Sequence, residues 1–142
     1  MAHAETKETF SCSQDKFFKI VSDYEKYPEF LMEVKTCKII KTDGNRKLVE
    51  FSVSVVKEFT YRLWITEEPN NRIHWTLDSG DIFKTSVGSW DLKEKNGKTE
   101  AHYSVEATFK VFMPSMIANK LVAVNLPMMM SAYKKRVSEI YG

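Results

Sequence analysis

Hydrophobic and polar positions along this chain switch between alternate-residue and helical spacing, and each switch marks an element. From Ala4 to Cys12, Thr6, Glu8 and Phe10 alternate with Lys7 and Thr9, which predicts a strand. Ser13 then serves as an N-cap whose hydroxyl can accept an orphan amide from the following turn. Phe17, Phe18, Ile20 and Val21 fall at helical spacing, so a short helix runs to about Asp23. A second short helical segment is predicted over Tyr24 to Met32, with Pro28 near its first turn, where a missing amide costs nothing.

From Val34 the period becomes two. Lys35, Cys37, Ile39 and Lys41 alternate with Thr36, Lys38, Ile40 and Thr42 up to the turn signal Asp43-Gly44-Asn45. Val49, Phe51, Val53 and Val55 share one face of the segment Leu48 to Lys57. Phe59, Tyr61, Leu63 and Ile65 repeat that pattern, and after Pro69-Asn70-Asn71 so do Ile73, Trp75 and Leu77. Ser79-Gly80-Asp81 turns into a strand from Ile82 to Lys95, where Gly88 reads as a bulge or bend. Asn96-Gly97 is the strongest hairpin signal in the chain. Beyond it Ala101, Tyr103, Val105, Ala107, Phe109 and Val111 face one way while Glu100, His102, Ser104, Glu106, Thr108 and Lys110 face the other. That alternation is the mark of a sheet with one wet side.

After Pro114 the spacing is helical. Met116, Ile117, Lys120, Leu121 and Val124 form a stripe, followed by Met128 and Met129, then Ala132, Tyr133, Val137 and Ile140. Pro127 inside this stretch must kink the helix or divide it in two. Lys134-Lys135-Arg136 suit the C-terminal end of the helix dipole. The predicted class is therefore α+β: a curved antiparallel sheet of about seven strands around a long C-terminal helix, with two short helices after the first strand. So long a meander must curl, and its apolar concave face needs a cover. A sheet wrapped around one helix leaves interior space, which is an opening for a ligand.

Composition narrows the function classes. The 142 residues carry 21 basic and 19 acidic side chains, for a net charge of +2. This suits one domain, 1–142, with a core that needs no staples, and the near-neutral balance argues against nucleic-acid binding. No apolar run is long enough to span a membrane, and Met1 to Thr9 lack the apolar core of a secretory signal. Cys12 and Cys37 can pair in principle, but two thiols without an export signal point to a reduced state and a cytoplasmic location.

Three landmarks carry a resemblance. Asp23-Tyr24-Glu25-Lys26-Tyr27-Pro28-Glu29-Phe30-Leu31, Gly88-Ser89-Trp90-Asp91-Leu92 and Phe112-Met113-Pro114-Ser115 span nearly the whole chain. They resemble the helix-grip superfamily: a Tyr-Pro-x-Phe segment between the first helices, a Gly-x-Trp-x-Leu strand, and a proline where the last strand passes to a helix. The superfamily includes START lipid-transfer domains, birch-pollen-type allergens, aromatic polyketide cyclases, and coenzyme-Q-binding proteins with their ribosome-association-toxin relatives. The chain is most similar to the polyketide cyclase/dehydrase and coenzyme-Q-binding subgroup. The resemblance implies a pocket for a hydrophobic ligand under the C-terminal helix, bordered at its entrance by the Tyr24 to Phe30 segment. It leaves the activity open, because one fold hosts carriers, enzymes and protein-binding modules.

Parity and stripe then nominate the lining: Phe51, Val53, Val55, Tyr61, Leu63, Trp75, Leu77, Tyr103, Val105 and Ala107 from the strands. Met116, Ile117, Leu121, Val124 and Met128 come from the helix, and Phe30 and Leu31 from the second short helix. The same residues would also fill a solid core. The clustered methionines, Met128 to Met130, suit either a variable partner or gap-filling. Tyr27 and Phe30 would either gate the pocket or staple the short helices to the sheet.

For catalysis, His74 and His102 lie on the outward parity, and no Ser/His/Asp order or metal-ligand spacing stands out. No cofactor is implied. Tyr61 and Tyr103 are the better polar candidates, since a phenol in an apolar pocket can orient a ligand carbonyl. Lys35, Lys38, Lys41, Arg46 and Lys47 concentrate on the first hairpin, as either a solvated surface or a membrane- or ribosome-facing patch. The leading expectation is a binder of a lipid, quinone or polyketide-like molecule. The alternatives are a cyclase/dehydrase enzyme and a ribosome- or protein-interaction module.

Overall fold

A computed structural model describes residues 2–55, 57–122 and 126–142. Strand β1 (Ala2–Phe10) leads into helix α1 (Gln14–Val21) and a 3₁₀ turn (Tyr24–Glu29). Six strands follow: β2 (Val34–Asp43), β3 (Arg46–Ser54), β4 (Glu58–Glu68), β5 (Arg72–Gly80), β6 (Phe83–Lys95) and β7 (Lys98–Phe109). Then come helices α2 (Ser115–Val122) and α3 (Leu126–Tyr141). Consecutive strands from β2 to β7 pair antiparallel through hairpins, and β1 pairs antiparallel with β7, giving the order β1-β7-β6-β5-β4-β3-β2. This is the expected α+β architecture.

The hairpin at Asn96-Gly97 shows why turn chemistry is legible. Both residues have positive φ, 55° and 77°, as a turn matching the twist of the flanking strands requires. Inside the curved sheet, Phe10 stacks on Phe17 at 4.1 Å between ring centroids. Tyr133 of α3 meets Phe17, Tyr27, Phe30 and Trp90 at 5.2 to 6.3 Å. One aromatic cluster thus ties α1, the 3₁₀ turn, the sheet and α3 together.

Several local expectations are corrected. Ser13 occupies the N-cap position, but its hydroxyl donates to the Asp15 carboxylate; the Gln14 amide is satisfied instead by Glu94 Oε1 of β6, at 2.9 Å. The segment after α1 is a 3₁₀ turn ending at Glu29, with Pro28 near its end rather than its beginning. Gly88 makes no bulge, since its pairing with Trp75 and with Val105 runs in register. Its reason is space: a Cβ there would lie 2.3 Å from Trp75 Cζ2 and 2.6 Å from the Ser104 carbonyl oxygen. Val111 is 64% exposed, because β7 ends opposite the first residues of β6 and β1 and has no ladder beyond. Lys134 and Arg136 sit mid-helix, not in the last turn of α3. They pair across to Glu8 at 2.8 Å and Glu29 at 3.0 Å.

Candidate functional site

The inner face of the sheet and the helices enclose two adjoining chambers of about 180 Å³ and about 300 Å³. Leu31, Val34, Tyr61, Phe83, Tyr103, Leu121, Val122 and Met129 line both, so the chambers adjoin at these side chains. The larger reaches the surface past Met32 and Met128, which are 79% and 62% exposed. The smaller lies deeper, against Trp75, Trp90 and Tyr133.

Among the positions nominated from the sequence, Phe51, Leu63, Trp75, Val105 and Ala107 line the inner chamber. Phe30, Val53, Val55 and Met128 line the outer one, and Leu31, Tyr61, Tyr103 and Leu121 line both. The strand alternation sends these side chains inward because the pleat fixes every second residue to one face. Leu77 packs against the core, but neither chamber reaches it: the β5–β6 ladder ends at Thr76 opposite Val87, and Leu77 lies beyond that point. Met116 is 73% exposed and Ile117 is half-buried away from the space. The inward face of α2 is Ala118, Leu121 and Val122, a spacing of three and four set by its packing on β1 and β7. Val124 lies outside the described residues.

The structure adds lining residues that the parity argument passed over. Ile65, Ile73, Phe83 and Trp90 carry the same inward signal and were readable from it. Ser86 is a polar residue on an inward position of β6, 7% exposed, and only the pairing with Ala107 reveals its direction. Tyr24 and Tyr27 come from the 3₁₀ turn, Tyr133 and Met129 from α3. Tyr27 is 9% exposed and its hydroxyl donates to the Val21 carbonyl, so in this arrangement the segment staples α1 to the wall.

Electrostatics separates the wall from the rim. The described residues lining the inner chamber include no Lys, Arg, His, Asp or Glu. Burial pushes the Tyr103 phenol up to about 12 and raises Tyr61, whose phenol also feels Tyr103. Burial likewise raises Tyr133 and Tyr27. No hydrogen-bond partner for the Tyr61 or Tyr103 hydroxyl is found among the described residues. Among the described lining residues, charge appears only in the outer chamber, as Lys120 and Glu33, and burial raises the Glu33 carboxyl.

The imidazoles face outward to carboxylates, His102 to Glu5 at 2.7 Å and His74 to Glu68 at 3.5 Å. Among the described residues no group of His, Cys, Asp or Glu converges as a metal site. On the basic hairpin, Lys47 pairs with Glu67 at 3.1 Å and Arg46 lies over the Trp64 ring at 4.5 Å, while Lys35, Lys38 and Lys41 stay exposed.

Residues 11–134 match the family described as polyketide cyclase / dehydrase and lipid transport. The chain belongs to that family. No curated protein matches the sequence. Among solved structures, a START superfamily protein from Mycobacterium smegmatis superposes with a TM-score of 0.87 at 19% identity, over 99% of each chain. A protein from Thermus thermophilus gives 0.86 at 15% identity, again over 99% of each. The Zhui aromatase/cyclase from a Streptomyces species gives 0.71 at 17% identity, over 96% of this chain and 86% of that one. At such identities the likeness is one of fold.

Within this polyketide cyclase/dehydrase family member, the three sequence landmarks have structural work. The Tyr-Pro-x-Phe segment forms the wall against Tyr133. Gly88 and Trp90 flank the inner chamber, Gly88 by making room for the Trp75 indole. The Phe112 to Ser115 stretch passes the chain from β7 to α2. No helix among the described residues is long and apolar enough to cross a membrane.

Proposed function

We propose that this protein binds a hydrophobic small molecule, such as a lipid, quinone or polyketide-like ring compound, in the two-chambered space beneath α2 and α3. The observation that carries the reading is that space: two adjoining, mostly apolar chambers, one rimmed by Met32 and Met128, the other walled by Trp75 and Trp90. Removing apolar surface from water drives such binding at roughly 25 cal/mol per Å², less the cost of ordering ligand and side chains. The nominated residues that line the chambers, from Phe30 and Leu31 through the strand positions to Leu121 and Met128, act here as the binding wall. Entry runs between the 3₁₀ segment and α3, which are pinned by Arg136 to Glu29 and by Arg136 lying over Phe30 at 5.0 Å.

The family description covers both cyclisation and lipid transport. The binding side is favoured because phenols raised by burial stay protonated and act as donors rather than bases. Cys12 and Cys37 are both free and buried, which suits a reducing, cytoplasmic setting.

Native mass spectrometry of the protein as purified, followed by organic extraction, tests the reading. We expect a bound apolar molecule that is released on denaturation. Leu121→Asp, which places a carboxylate in both chambers, should purify without it. A folded Leu121→Asp protein that still carries the molecule would remove this space as its site.

A further inference from the structure

We propose that the end of the molecule around the rim of the outer chamber docks on the surface of a lipid bilayer carrying anionic headgroups. The inference goes beyond the binding reading and does not depend on it. Among the described residues, the large apolar side chains that are more than half exposed are Met32, Val111, Phe112, Met116 and Met128. All of them belong to one end of the sheet. Met32 precedes Glu33, whose carbonyl accepts the Ser54 amide where β3 ends, beside the β3–β4 hairpin at Lys57. β7 leaves the sheet at Lys110, whose amide donates to the Ile82 carbonyl just before β6 begins. Val111 and Phe112 come directly after it, and Met116 stands in the first turn of α2. Met128 lines the outer chamber together with Met32. The opposite end presents the turns Asp43-Gly44-Asn45, Pro69-Asn70-Asn71 and Asn96-Gly97, which carry polar side chains.

Phe112 is 89% exposed, a ring held in water with nothing to offset the cost. Apolar side chains exposed together in one place mark a contact surface. Their form points to a bilayer rather than to a folded partner. They project from three separate segments, so a rigid partner would need a matching hollow for each. The boundary between headgroups and acyl chains needs none, because it deforms around whatever enters it. Methionine, unbranched and flexible, adapts to such a medium. Lysines stand among these side chains: Lys57 in the β3–β4 hairpin, Lys110 before Val111, and Lys120 on α2, all exposed. None of the three joins an ion pair with a described residue. A lysine can lay its stem along apolar surface and keep its ammonium at the level of anionic headgroups. Glu33, Glu58 and Asp81 share this end. The apolar side chains therefore carry most of the affinity, and the lysines add the preference for anionic lipid.

Flotation with vesicles tests the surface, using phosphatidylcholine alone and phosphatidylcholine mixed equally with phosphatidylserine. The unaltered protein should float with the mixed vesicles and more weakly with the neutral ones. Phe112→Ser should weaken binding to the mixed vesicles about ten-fold. Lys57→Glu combined with Lys110→Glu should weaken it at least as much, by reversing charge at the headgroups. Lys38→Glu combined with Lys41→Glu makes the same change of charge on the exposed β2–β3 hairpin and should have little effect. All the altered side chains are exposed, and unchanged circular dichroism will show that the variants are folded. No flotation with either vesicle, or Phe112→Ser floating like the unaltered protein, would overturn the docking surface. So would an equal loss in the hairpin pair, which would move the contact to that hairpin. Self-association without vesicles that Phe112→Ser abolishes would assign this end to a second copy of the chain and overturn the proposal as well. Phe112 lines neither chamber, so each of these failures leaves the binding reading in place.

Discussion

Tyr24 places a polar atom where little water reaches, and its partner decides what that costs. Its hydroxyl donates to Glu67 Oε2 at 2.7 Å, and the same carboxylate takes Lys47 at 3.1 Å. The side chains of Glu67 and Lys47 are 14% and 24% exposed, so water substitutes poorly for either. Glu67→Ala should therefore lose about 2–3 kcal/mol, because it strands both a buried phenol and a half-buried ammonium. Tyr24→Phe, which removes a donor and leaves Glu67 its lysine, should lose about 1 kcal/mol. Urea unfolding of both variants beside Glu58→Ala, an exposed carboxylate, checks this; equal losses at Glu67 and Glu58 would count against the pairing. Neither contact was readable in advance, since 43 positions separate Tyr24 from Glu67 and no periodicity joins a turn to a strand.

Among the elements, β6 shows most clearly how a strand shapes the cavity. Trp75 on β5 sits opposite Gly88, and its indole occupies the volume that a side chain at 88 would need. Gly88→Ala should cost about 1–3 kcal/mol through overpacking. It should also weaken ligand binding, because the indole that it displaces lines the inner chamber. Adding Trp75→Leu should restore part of the stability and not all, since the new methyl still meets the Ser104 carbonyl at 2.6 Å. Denaturation midpoints of the single and double variants, with ligand titrations, decide it; full restoration would mean the backbone contact is harmless. Helix phase is the counterpart on the other side of the space. The stripe beginning at Met116 was read one position away from the face that α2 turns inward, because an apolar stripe on a short helix admits more than one rotation. Its packing against β1 and β7 selects Ala118, Leu121 and Val122.

Across the whole molecule, Tyr24, Tyr27 and Tyr133 are buried and Tyr61, Tyr103 and Tyr141 are half-buried. All six phenols are raised, burial being the first cause in each. An unfolded phenol ionises near about pH 10, so above that pH the folded chain holds more protons than the unfolded one. The contribution is fully present below about pH 10 and falls as the pH climbs from there toward the raised values. Tyrosinate absorbance should consequently appear together with loss of the β-sheet circular dichroism signal, as one alkaline transition. Phenols that titrate near about pH 10 in a protein still folded would show that the cluster is wetter than its burial implies.

How much was legible follows from the range over which each signal acts. Strand parity, the Asn96-Gly97 hairpin and the order of elements are local, and they were enough for the α+β class, the curved sheet and most of the strand-borne wall, from Phe51 to Val105. A pleat assigns a face to every residue without reference to anything distant. The chambers belong to a different kind of fact. They are the volume left over when α2, α3 and the 3₁₀ turn settle against the sheet, so Tyr133, Ser86 and Tyr27 enter the lining and Met116 and Leu77 leave it. No pattern along the chain encodes a remainder of packing between segments so far apart in sequence.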